Sequence, residues 1–481
     1  MNSTEAPATA RSRRVVPIAQ ADRAAQELYA RRERVYPREV HGWFARWRVI
    51  MVVLTLGVYY VLPWINWGPG RQAFLIDLPG RKFNLFFWTF WPQDLFYLTT
   101  ILVISALSLF LFTAIAGRLW CGYTCPQTVW TEVFLWIERR IEGDRMQQMR
   151  LARSPWTREK IVKRTLKHGA WLAFAAWTGF TFVGYFTPIR ELAAAVPRLA
   201  LGPWETFWIL FYGFATYGNA GFLREQVCIY MCPYARFQSV MFDRDTLIIS
   251  YDKARGEPRG PRSRSANHRA LGLGDCIDCT LCVQVCPTGI DIRNGLQYQC
   301  IACGACIDAC DSVMEKMGYP KGLIRYTTQN EMEAGKPRRI LRPRVLVYGG
   351  ILAAIAAGLV VAVLLRVPLD VDVIRDRNSL YRETAEGLIE NVYTLKILNM
   401  DTAPHRYTLR AGGIEGLRLV VDREEIGAGA GEVVELPVRL QADAHALEQR
   451  STPVYFELQA TDAPRLRVRE EARFLGPEFG R

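Results

Sequence analysis

The feature that most constrains this chain is a run of cysteines whose spacing occurs twice. The first copy reads CxxCxxCxxxCP, and the second, CxxCxxCxxxC, starts fourteen residues after the first one ends. Three thiolates at two-residue gaps wrap one face of an iron–sulfur cubane, and the fourth ligates the neighbouring cluster. We therefore predict two [4Fe–4S] clusters. The first is ligated by Cys276, Cys279, Cys282 and Cys310, and the second by Cys286, Cys300, Cys303 and Cys306.

Zinc is the main competitor for these ligands, because CxxC pairs also build four-cysteine zinc sites. Eight cysteines in a repeated triplet-plus-one arrangement favour iron–sulfur clusters instead. Residues 270–315 resemble bacterial two-cluster ferredoxins. One departure is that Asp311 follows Cys310, where such ferredoxins usually have proline. Proline shapes the turn and does not ligate iron, so this departure bears on the potential of the cluster rather than on its presence.

A second cysteine pattern, CxxxCP, also occurs twice. It comprises Cys121 and Cys125 before Pro126, and Cys228 and Cys232 before Pro233. Each proline suits the first turn of a helix, so we predict helices over 127–141 and 234–242. The second cysteine of each motif would then cap a helix N-terminus, where the helix dipole lowers the pKa of a thiol.

Four thiols that converge at one place would form a soft-ligand metal site. Thiolates suit Cu(I), zinc or an iron–sulfur cluster, and the residues alone leave these three alternatives open. A purely structural role, in which buried cysteines fill space near helix ends, is the remaining alternative. Met231 is a further soft ligand by chemistry, although a methionine at such a place is more often a packing residue.

Long uncharged stretches indicate a polytopic membrane protein, since about 20 apolar residues cross a bilayer. We predict five spans: 49–67, 95–117, 169–189, 206–223 and 345–365. Arginine and lysine accumulate on the cytoplasmic side of a membrane. Segment 1–48 has ten arginines and no lysine, and segments 118–167 and 224–342 are rich in both, whereas 71–94 and 190–203 have few of either. The N-terminus and the cysteine-rich segment are therefore expected inside, and the chain after residue 365 outside.

The tail beyond residue 367 changes character. Short runs of period-two alternation at 393–397, 418–421, 433–438, 454–458 and 465–468 predict strands, with turns at 411–413 and 427–431. Strands at this spacing are typical of a small β-sandwich of immunoglobulin-like form, here without cysteine and so without a disulfide. Gly, Pro, Ser and Arg dominate 253–269, which predicts a flexible tether.

The predicted fold is thus multi-domain. It comprises a basic segment (1–48), a domain of four membrane helices (49–242), an inserted ferredoxin-like domain (243–342), a fifth membrane helix (343–366) and the sandwich (367–481). The net charge is +13, and the basic residues flank apolar spans. This arrangement argues against a nucleic-acid-binding protein. Clustered cysteines in a long chain argue against a secreted disulfide scaffold, and the polar first 40 residues argue against a signal peptide.

Other redox groups are disfavoured. The five histidines, at positions 41, 168, 268, 405 and 445, lie outside the predicted span cores, and no CxxCH motif for haem attachment occurs. No strand-linked GxGxxG predicts a flavin or nicotinamide site. Electrons must then come from a partner. The aromatic stretch 83–91 is expected to anchor the outer membrane interface.

The order of these parts resembles the CcoG family, also called FixG or RdxA, which are accessory proteins of cbb3-type cytochrome c oxidase. The resemblance covers nearly the whole chain. It implies a membrane cupric reductase of the bacterial inner membrane that converts Cu(II) to Cu(I) for copper insertion, with oxidase assembly factors as partners. It also implies that Cys121, Cys125, Cys228 and Cys232 bind or reduce copper.

Two other functions remain open at the level of sequence. Polyferredoxin subunits carry similar CxxxCP-bearing spans and feed a partner reductase, and a third cluster across the CxxxCP motifs would favour that reading. A non-catalytic copper chaperone or assembly scaffold is the other alternative. The sandwich favours the reductase over a simple polyferredoxin subunit.

Overall fold

A computed structural model describes residues 34–67, 71–86, 88–267, 269–401, 403–423, 425–447 and 449–477. Most of the predicted basic N-terminal segment and His268 lie outside the described residues. Apolar helices, a cysteine-rich domain and a β-sandwich follow one another along the chain, in the predicted order.

Three helices are long and apolar enough to cross a membrane. They are α1 (Trp43–Val61), continued by a 3-10 turn (Leu62–Trp64), α2 (Leu95–Ala116), preceded by a 3-10 turn (Pro92–Asp94), and α14 (Pro343–Leu364). Only about a tenth or less of each apolar window is covered by protein, as expected of surfaces that face lipid. They correspond to the first, second and fifth predicted spans, and α1 begins six residues earlier than the predicted start.

The third and fourth predicted spans are helical, but among the described residues their helices are not both long enough and apolar enough to cross a membrane. Helix α6 (Arg158–Val183) starts with a strongly charged first half. Helix α8 (Pro203–Thr216) has fourteen residues and continues as a π-helix (Tyr217–Leu223). The count of five spans therefore stays a prediction.

The other helices before the cysteine-rich domain are shorter. They are α3 (Leu119–Tyr123), α4 (Pro126–Glu142), α5 (Arg145–Arg153), α7 (Ile189–Ala195), a second π-helix (Val227–Met231) and α9 (Pro233–Met241). Between α1 and α2 an antiparallel sheet forms from β1 (Phe74–Asp77), β2 (Lys82–Leu85) and β3 (Trp88–Phe90). The stretch 83–91 thus contributes strands, which its aromatic composition alone did not predict.

The cysteine-rich domain is closed by two strands from its ends. Strand β4 (Ile248–Tyr251) pairs antiparallel with β5 (Ile324–Thr327). Between and after them lie α10 (Lys253–Gly256), α11 (Leu281–Gln284), a 3-10 turn (Ile292–Asn294), α12 (Ala305–Met317) and α13 (Gln329–Ala334). The predicted tether at 253–269 is wrong for its described part, because Arg262 donates to the carbonyl oxygens of Gly274 and Cys276 and holds the segment on the domain.

The tail forms the predicted sandwich. Its strands are β6 (Leu369–Arg375), β7 (Arg382–Glu383), β8 (Leu388–Asn399), β9 (His405–Gly412), β10 (Arg418–Val421), β11 (Ile426–Ala428), β12 (Val433–Asp443), β13 (Ser451–Ala460) and β14 (Arg467–Leu475), with a 3-10 turn at Ala444–Ala446. One sheet has the order β10-β12-β8-β6, with β7 beside β8, and the other has β11-β9-β13-β14.

The core of the sandwich comes from alternate residues of facing strands, such as Leu395 and Ile397 on β8 and Phe456 and Leu458 on β13. The predicted strands at 393–397, 418–421, 433–438 and 454–458 lie within observed ones. The predicted turns at 411–413 and 427–431 begin two residues too early, since β9 and β11 run into them.

The ferredoxin-like domain and the sandwich lie at opposite ends of a helix pair. Helices α2 and α14 run antiparallel, because Tyr97 donates to the Ala362 carbonyl at one end and Arg342 donates to the Ala114 carbonyl at the other. At the first end, Arg366 pairs with Asp94 at 2.5 Å, and Lys82 donates to the carbonyl of Gly431 in the sandwich. Helices of this length span ~33 Å, close to the thickness of a bilayer core.

Candidate functional site: two cysteine quartets and a four-thiol cluster

The structure gathers the eight ferredoxin-type cysteines into two groups around two small cavities. One cavity is lined by Cys276, Cys279, Cys282 and Cys310. The other is lined by Cys286, Cys300, Cys303 and Cys306, with Cys282 at its edge. In each quartet the fourth cysteine of one run joins the triplet of the other, which is the interleaving that the spacing predicts for two cubanes.

The two triplet loops share one backbone conformation. Asp278 and Ala302, each two residues after the first cysteine of its triplet, have φ of 54° and 53°. Thr280 and Gly304, each four residues after it, have φ of 57° and 75°. Non-glycine residues rarely adopt this left-handed region, and such strain concentrates at ligand-holding loops. The repeated geometry makes the two loops structural duplicates.

The chemistry of the donor set fits iron–sulfur clusters. Burial raises the pKa of Cys282 to about 11 and that of Cys300 to about 12, although the backbone N–H of Ala302 favours the Cys300 thiolate. Thiols buried in this way lose their protons when a cation binds them. Two sets of four thiols, most of them buried or half-buried, would therefore hold two cubanes.

The two quartets differ in exposure. Cys279 in the first quartet is exposed, whereas Cys303 in the second is buried. The other cysteines of both quartets are buried or half-buried, and the second quartet lies beside the CxxxCP motifs.

The CxxxCP prolines begin helices, as predicted. Pro126 is the first residue of α4 with Cys125 as its N-cap, and Pro233 is the first residue of α9 with Cys232 as its N-cap. The expected lowering of the Cys125 pKa is wrong. Burial raises it, and this outweighs the backbone N–H groups of Thr128 and Gln127 that favour its thiolate.

The four CxxxCP thiols share one electrostatic neighbourhood. Cys228 interacts with Cys125, Cys121 and Cys232, and Cys121 interacts with Cys125 and Cys232. Burial, reinforced by these neighbours, raises the pKa of Cys121 to about 11 and that of Cys228 to about 12. The structure thus brings together two motifs that are about 100 residues apart in the chain.

This four-thiol cluster adjoins the second cysteine quartet. The side chain of Cys121 packs against a buried group that contains Ile301 and Cys303. Next to it, Gly122 lies so close to the quartet loop that a Cβ atom would stand 2.7 Å from the carbonyl oxygen of Ile301 and 2.9 Å from Cα of Cys303. Only glycine permits this approach without a shift of backbone.

Arg118 and Gln238 complete the cluster, and neither was predicted from the sequence. Arg118 is buried, donates to the carbonyl of Ala235 at 2.8 Å and interacts electrostatically with Cys121, Cys228, Cys232 and Cys300. The fully buried Gln238 accepts a hydrogen bond from the Cys121 thiol at 3.5 Å. Their positions three residues before Cys121 and six after Cys232 were the available signal, but a lone arginine or glutamine near a cysteine is common.

Among the described residues, no group of three or more His, Cys, Asp or Glu side chains converges tightly enough around one point to hold a single metal ion. This holds for the ferredoxin quartets as well, because thiolates around a cubane stand further apart than those around one ion. Met231 is 59% exposed. His168, expected to be an interfacial residue, bonds to the Tyr217 hydroxyl at 2.9 Å through Nδ1.

Duplicated cubane-type loops joined to long apolar helices define a membrane-associated iron–sulfur electron-transfer protein. Comparison with protein-family models agrees with this class: a 4Fe-4S dicluster domain matches residues 223–329, a 4Fe-4S binding domain matches 98–143, and the IG-like fold at the C-terminal of FixG matches 359–477. The chain belongs to the FixG/RdxA family.

Three relatives carry that assignment. Protein RdxA of Cereibacter sphaeroides is 44% identical over 82% of this chain and 85% of its own length. Nitrogen fixation protein FixG of Rhizobium meliloti is 39% identical over 84% of this chain and 83% of its own length. Protein RdxB of Cereibacter sphaeroides is 40% identical over 81% of this chain and 84% of its own length. A FixG-related protein of known crystal structure from Vibrio parahaemolyticus is 32% identical over 22% of this chain and 95% of its own, with a TM-score of 0.21.

Proposed function

We propose that this protein is a membrane-bound cupric reductase, in which two [4Fe–4S] clusters relay electrons to Cu(II) at the four CxxxCP thiols. The contact between Cys121 and the buried group around Cys303 carries the proposal. It supports a short path from the second cluster to the thiols, because a proposed ligand at one site packs against the buried group that contains a proposed ligand of the other.

The exposure of the cysteines supports a direction for this path. Cys279 is exposed, so the first cluster is the better entry point for electrons from a soluble donor. The second quartet has no exposed cysteine and adjoins Cys121. When bound, each cluster supplies reversible one-electron storage. One electron converts one Cu(II) to Cu(I), so no second acceptor is needed.

The thiols themselves would favour the reduced product. Thiolate ligands prefer Cu(I), whereas Cu(II) prefers nitrogen and oxygen ligands. Arg118 would offset part of the negative charge of the bound thiolates, and Gln238 would orient Cys121 through the hydrogen bond to its sulfur. Cys121, Cys125, Cys228 and Cys232 are thus the proposed copper ligands.

The wider role follows from the family resemblance. We assign the protein to copper-centre assembly of cbb3-type oxidase in the bacterial inner membrane, with oxidase assembly factors as partners. The basic segments support an inner side for the N-terminus and the ferredoxin-like domain and a periplasmic side for the sandwich. The position of these two domains at opposite ends of α2 and α14 supports that topology.

A second candidate is a polyferredoxin-type subunit with a third cluster at the CxxxCP thiols. The match of residues 98–143 to a 4Fe-4S binding domain favours it, since that segment contains Cys121 and Cys125. The absence of a single-ion grouping among the described residues also favours it. A relative called ferredoxin-type protein NapH from Haemophilus influenzae is 22% identical over 43% of this chain.

One experiment separates the two candidates. The full chain is purified anaerobically, its iron, copper and acid-labile sulfide are counted, and Cu(II) reduction is followed with a Cu(I)-specific chelator after dithionite has been removed. The variants are Cys121→Ala with Cys228→Ala, and Cys279→Ala in the first quartet. Met231→Leu is the control, because it changes a soft side chain inside the second CxxxCP motif without removing a thiol.

If the protein is a cupric reductase, the wild type and the double variant should each contain about eight irons. The double variant should nevertheless lose Cu(II) reduction, because it lacks two of the proposed copper ligands. Cys279→Ala should lose iron, and Met231→Leu should behave as the wild type. Near twelve irons in the wild type, falling toward eight in the double variant, would support the third cluster instead. Unchanged Cu(II) reduction in the double variant would reject the copper role of these thiols.

A further inference from the structure

A basic cavity lies beside the CxxxCP motifs and takes no part in the proposed electron path. It has a volume of about 550 Å³ and lies between α6, the first π-helix and the chain before α1. Five cationic side chains line it, and no carboxylate is among the described residues of its lining. These cations are Arg34, Lys160, Arg164, Lys167 and Arg224.

Two buried carboxylates behind the cavity are shared among four of these cations. Glu138 lies 2.6 Å from Arg34, 2.7 Å from Arg224 and 3.3 Å from Lys167. Glu142 lies 2.7 Å from Lys167 and 3.3 Å from Arg164. Lys160 bonds instead to the carbonyl oxygens of Ala152 and Ser154. Together these five cations and two carboxylates carry a net charge of +3.

Several of these cations are buried. Lys167 is fully buried, Arg224 is 6% exposed, and Nη1 of Arg224 has no hydrogen-bond acceptor among the described residues. Burial lowers the pKa of His168 on the cavity wall, and the neighbouring charges of Lys167 and Arg164 lower it further. An unpaired buried donor is costly, and cations gathered around one space repel one another. An anion in the cavity would accept from the unpaired Arg224 donor and offset that repulsion.

We propose that this cavity binds the phosphate group of an anionic ligand. Arginine and lysine side chains that converge on one space match a phosphate, which accepts several charge-assisted hydrogen bonds at once. The volume lies within the range of small-molecule sites, and it exceeds the need of a simple halide. Two sources share this chemistry: a soluble phosphate compound and the headgroup of a phospholipid, since basic pockets at the membrane surface bind both kinds of ligand.

Occupation of the cavity would also steady the second CxxxCP motif. Arg224 stands four residues before Cys228, and its carbonyl oxygen accepts a hydrogen bond from Gln127 of α4 at 3.2 Å. Its φ of 43° is left-handed, a conformation that needs support from its surroundings. An anion held by the Arg224 guanidinium would supply part of that support.

The test compares two variants on the same helix in the full chain. Arg164→Gln removes a cation from the cavity and leaves Lys167 to pair with Glu142. Lys163→Gln removes one positive charge from the same turn, but on the outer face, where Lys163 pairs with Glu159. Thermal unfolding is followed in detergent with inorganic phosphate against potassium chloride of equal ionic strength. It is followed again in nanodiscs of phosphatidylcholine with or without phosphatidylglycerol.

A saturable rise of the unfolding temperature with inorganic phosphate would identify a soluble phosphate site. A rise with phosphatidylglycerol alone, together with about one retained anionic lipid per chain by native mass spectrometry, would identify a lipid headgroup site. In either case Arg164→Gln should weaken the binding of the anion, as judged from this stabilisation, at least tenfold. Lys163→Gln should leave the binding unchanged. The proposal is overturned if neither anion stabilises the wild type, or if both variants respond equally.

Discussion

Nη1 of Arg118 lies 3.4 Å from the backbone carbonyl oxygen of Cys300. Cys300 belongs to the second cysteine quartet, and Arg118 stands three residues before the first CxxxCP cysteine. One buried guanidinium therefore faces the proposed donor cluster and the four-thiol cluster together. Its positive charge stabilises negative charge at both places. The negative charge of either site increases when that site accepts an electron.

Arg118→Gln should lower the reduction potential of the second cluster. A buried charge at an effective dielectric constant of about 20 contributes on the order of 1–3 kcal/mol at such range, which is roughly 40–130 mV for a one-electron couple. Arg118→Lys should keep most of the potential, since it keeps the charge. EPR-monitored redox titration measures both. An unchanged midpoint potential in Arg118→Gln, with full iron content, would contradict this role.

Gly122→Ala should disturb the second quartet. Its Cβ atom would meet the backbone of Ile301, Ala302 and Cys303, which cannot move without displacing a cluster ligand. Overpacking of this kind costs about 1–3 kcal/mol, so we expect iron content to fall toward four per chain. Gly169→Ala is the control, because a Cβ atom there meets nothing within 4 Å. A full iron content in Gly122→Ala would show that the segment around Gly122 and the loop of the second quartet can move apart without loss of a cluster.

Asp308→Ala should loosen the attachment of the ferredoxin-like domain to the first membrane helix. The buried carboxylate of Asp308 on α12 accepts hydrogen bonds from the backbone N–H groups of Ala45 at 2.7 Å and Phe44 at 3.2 Å, and so caps α1. Loss of a cap costs about 1 kcal/mol. Hydrogen exchange of the first turn of α1 should accelerate several-fold. Asp308→Asn retains an acceptor and should accelerate it less; equal acceleration in both would argue against capping.

His405 should make the sandwich more stable in acid. Burial opposes its charge, but the hydrogen bonds to Asp462 at 2.9 Å and Asp401 at 3.0 Å raise its pKa above the ordinary value. The contribution is complete below the unfolded-state pKa of about 6.5 and is lost as pH rises through the higher folded-state pKa.

His405→Gln should therefore destabilise the sandwich at pH 5.5 by on the order of 0.5 kcal/mol and have little effect at pH 9. Hydrogen exchange in β9, corrected for intrinsic rates, measures the difference. His445→Gln changes an exposed histidine in the same domain and is the control. An effect of His405→Gln that is independent of pH would mean that packing, not charge, is responsible.

Much of the architecture was predictable because its signals are local. Cysteine spacing predicts which thiols would share a cubane, and the structure gathers the same cysteines around two cavities. Pro126 and Pro233 likewise mark helix starts. The extents of β9 and β11 were missed because their glycines resemble turn signals while pairing with neighbouring strands overrides that preference.

The pKa of Cys125 was mispredicted for a different reason. The helix N-terminus is a local feature, but burial depends on what the rest of the chain places around it. The composition of 253–269 favours coil and predicts a tether, yet Arg262 finds its hydrogen-bond partners in the cysteine-rich part of the same domain.

The sequence by itself determined the iron–sulfur loops, the apolar helices and the sandwich, because each depends on residues that are close together in the chain. Only the tertiary structure decided that Arg118 and Gly122 join the four-thiol cluster to the second quartet, and that five cations line one cavity while four of them share two buried carboxylates. Both arrangements unite segments that are far apart in the chain. Their physical basis is electrostatics and close packing between surfaces, which no local pattern records.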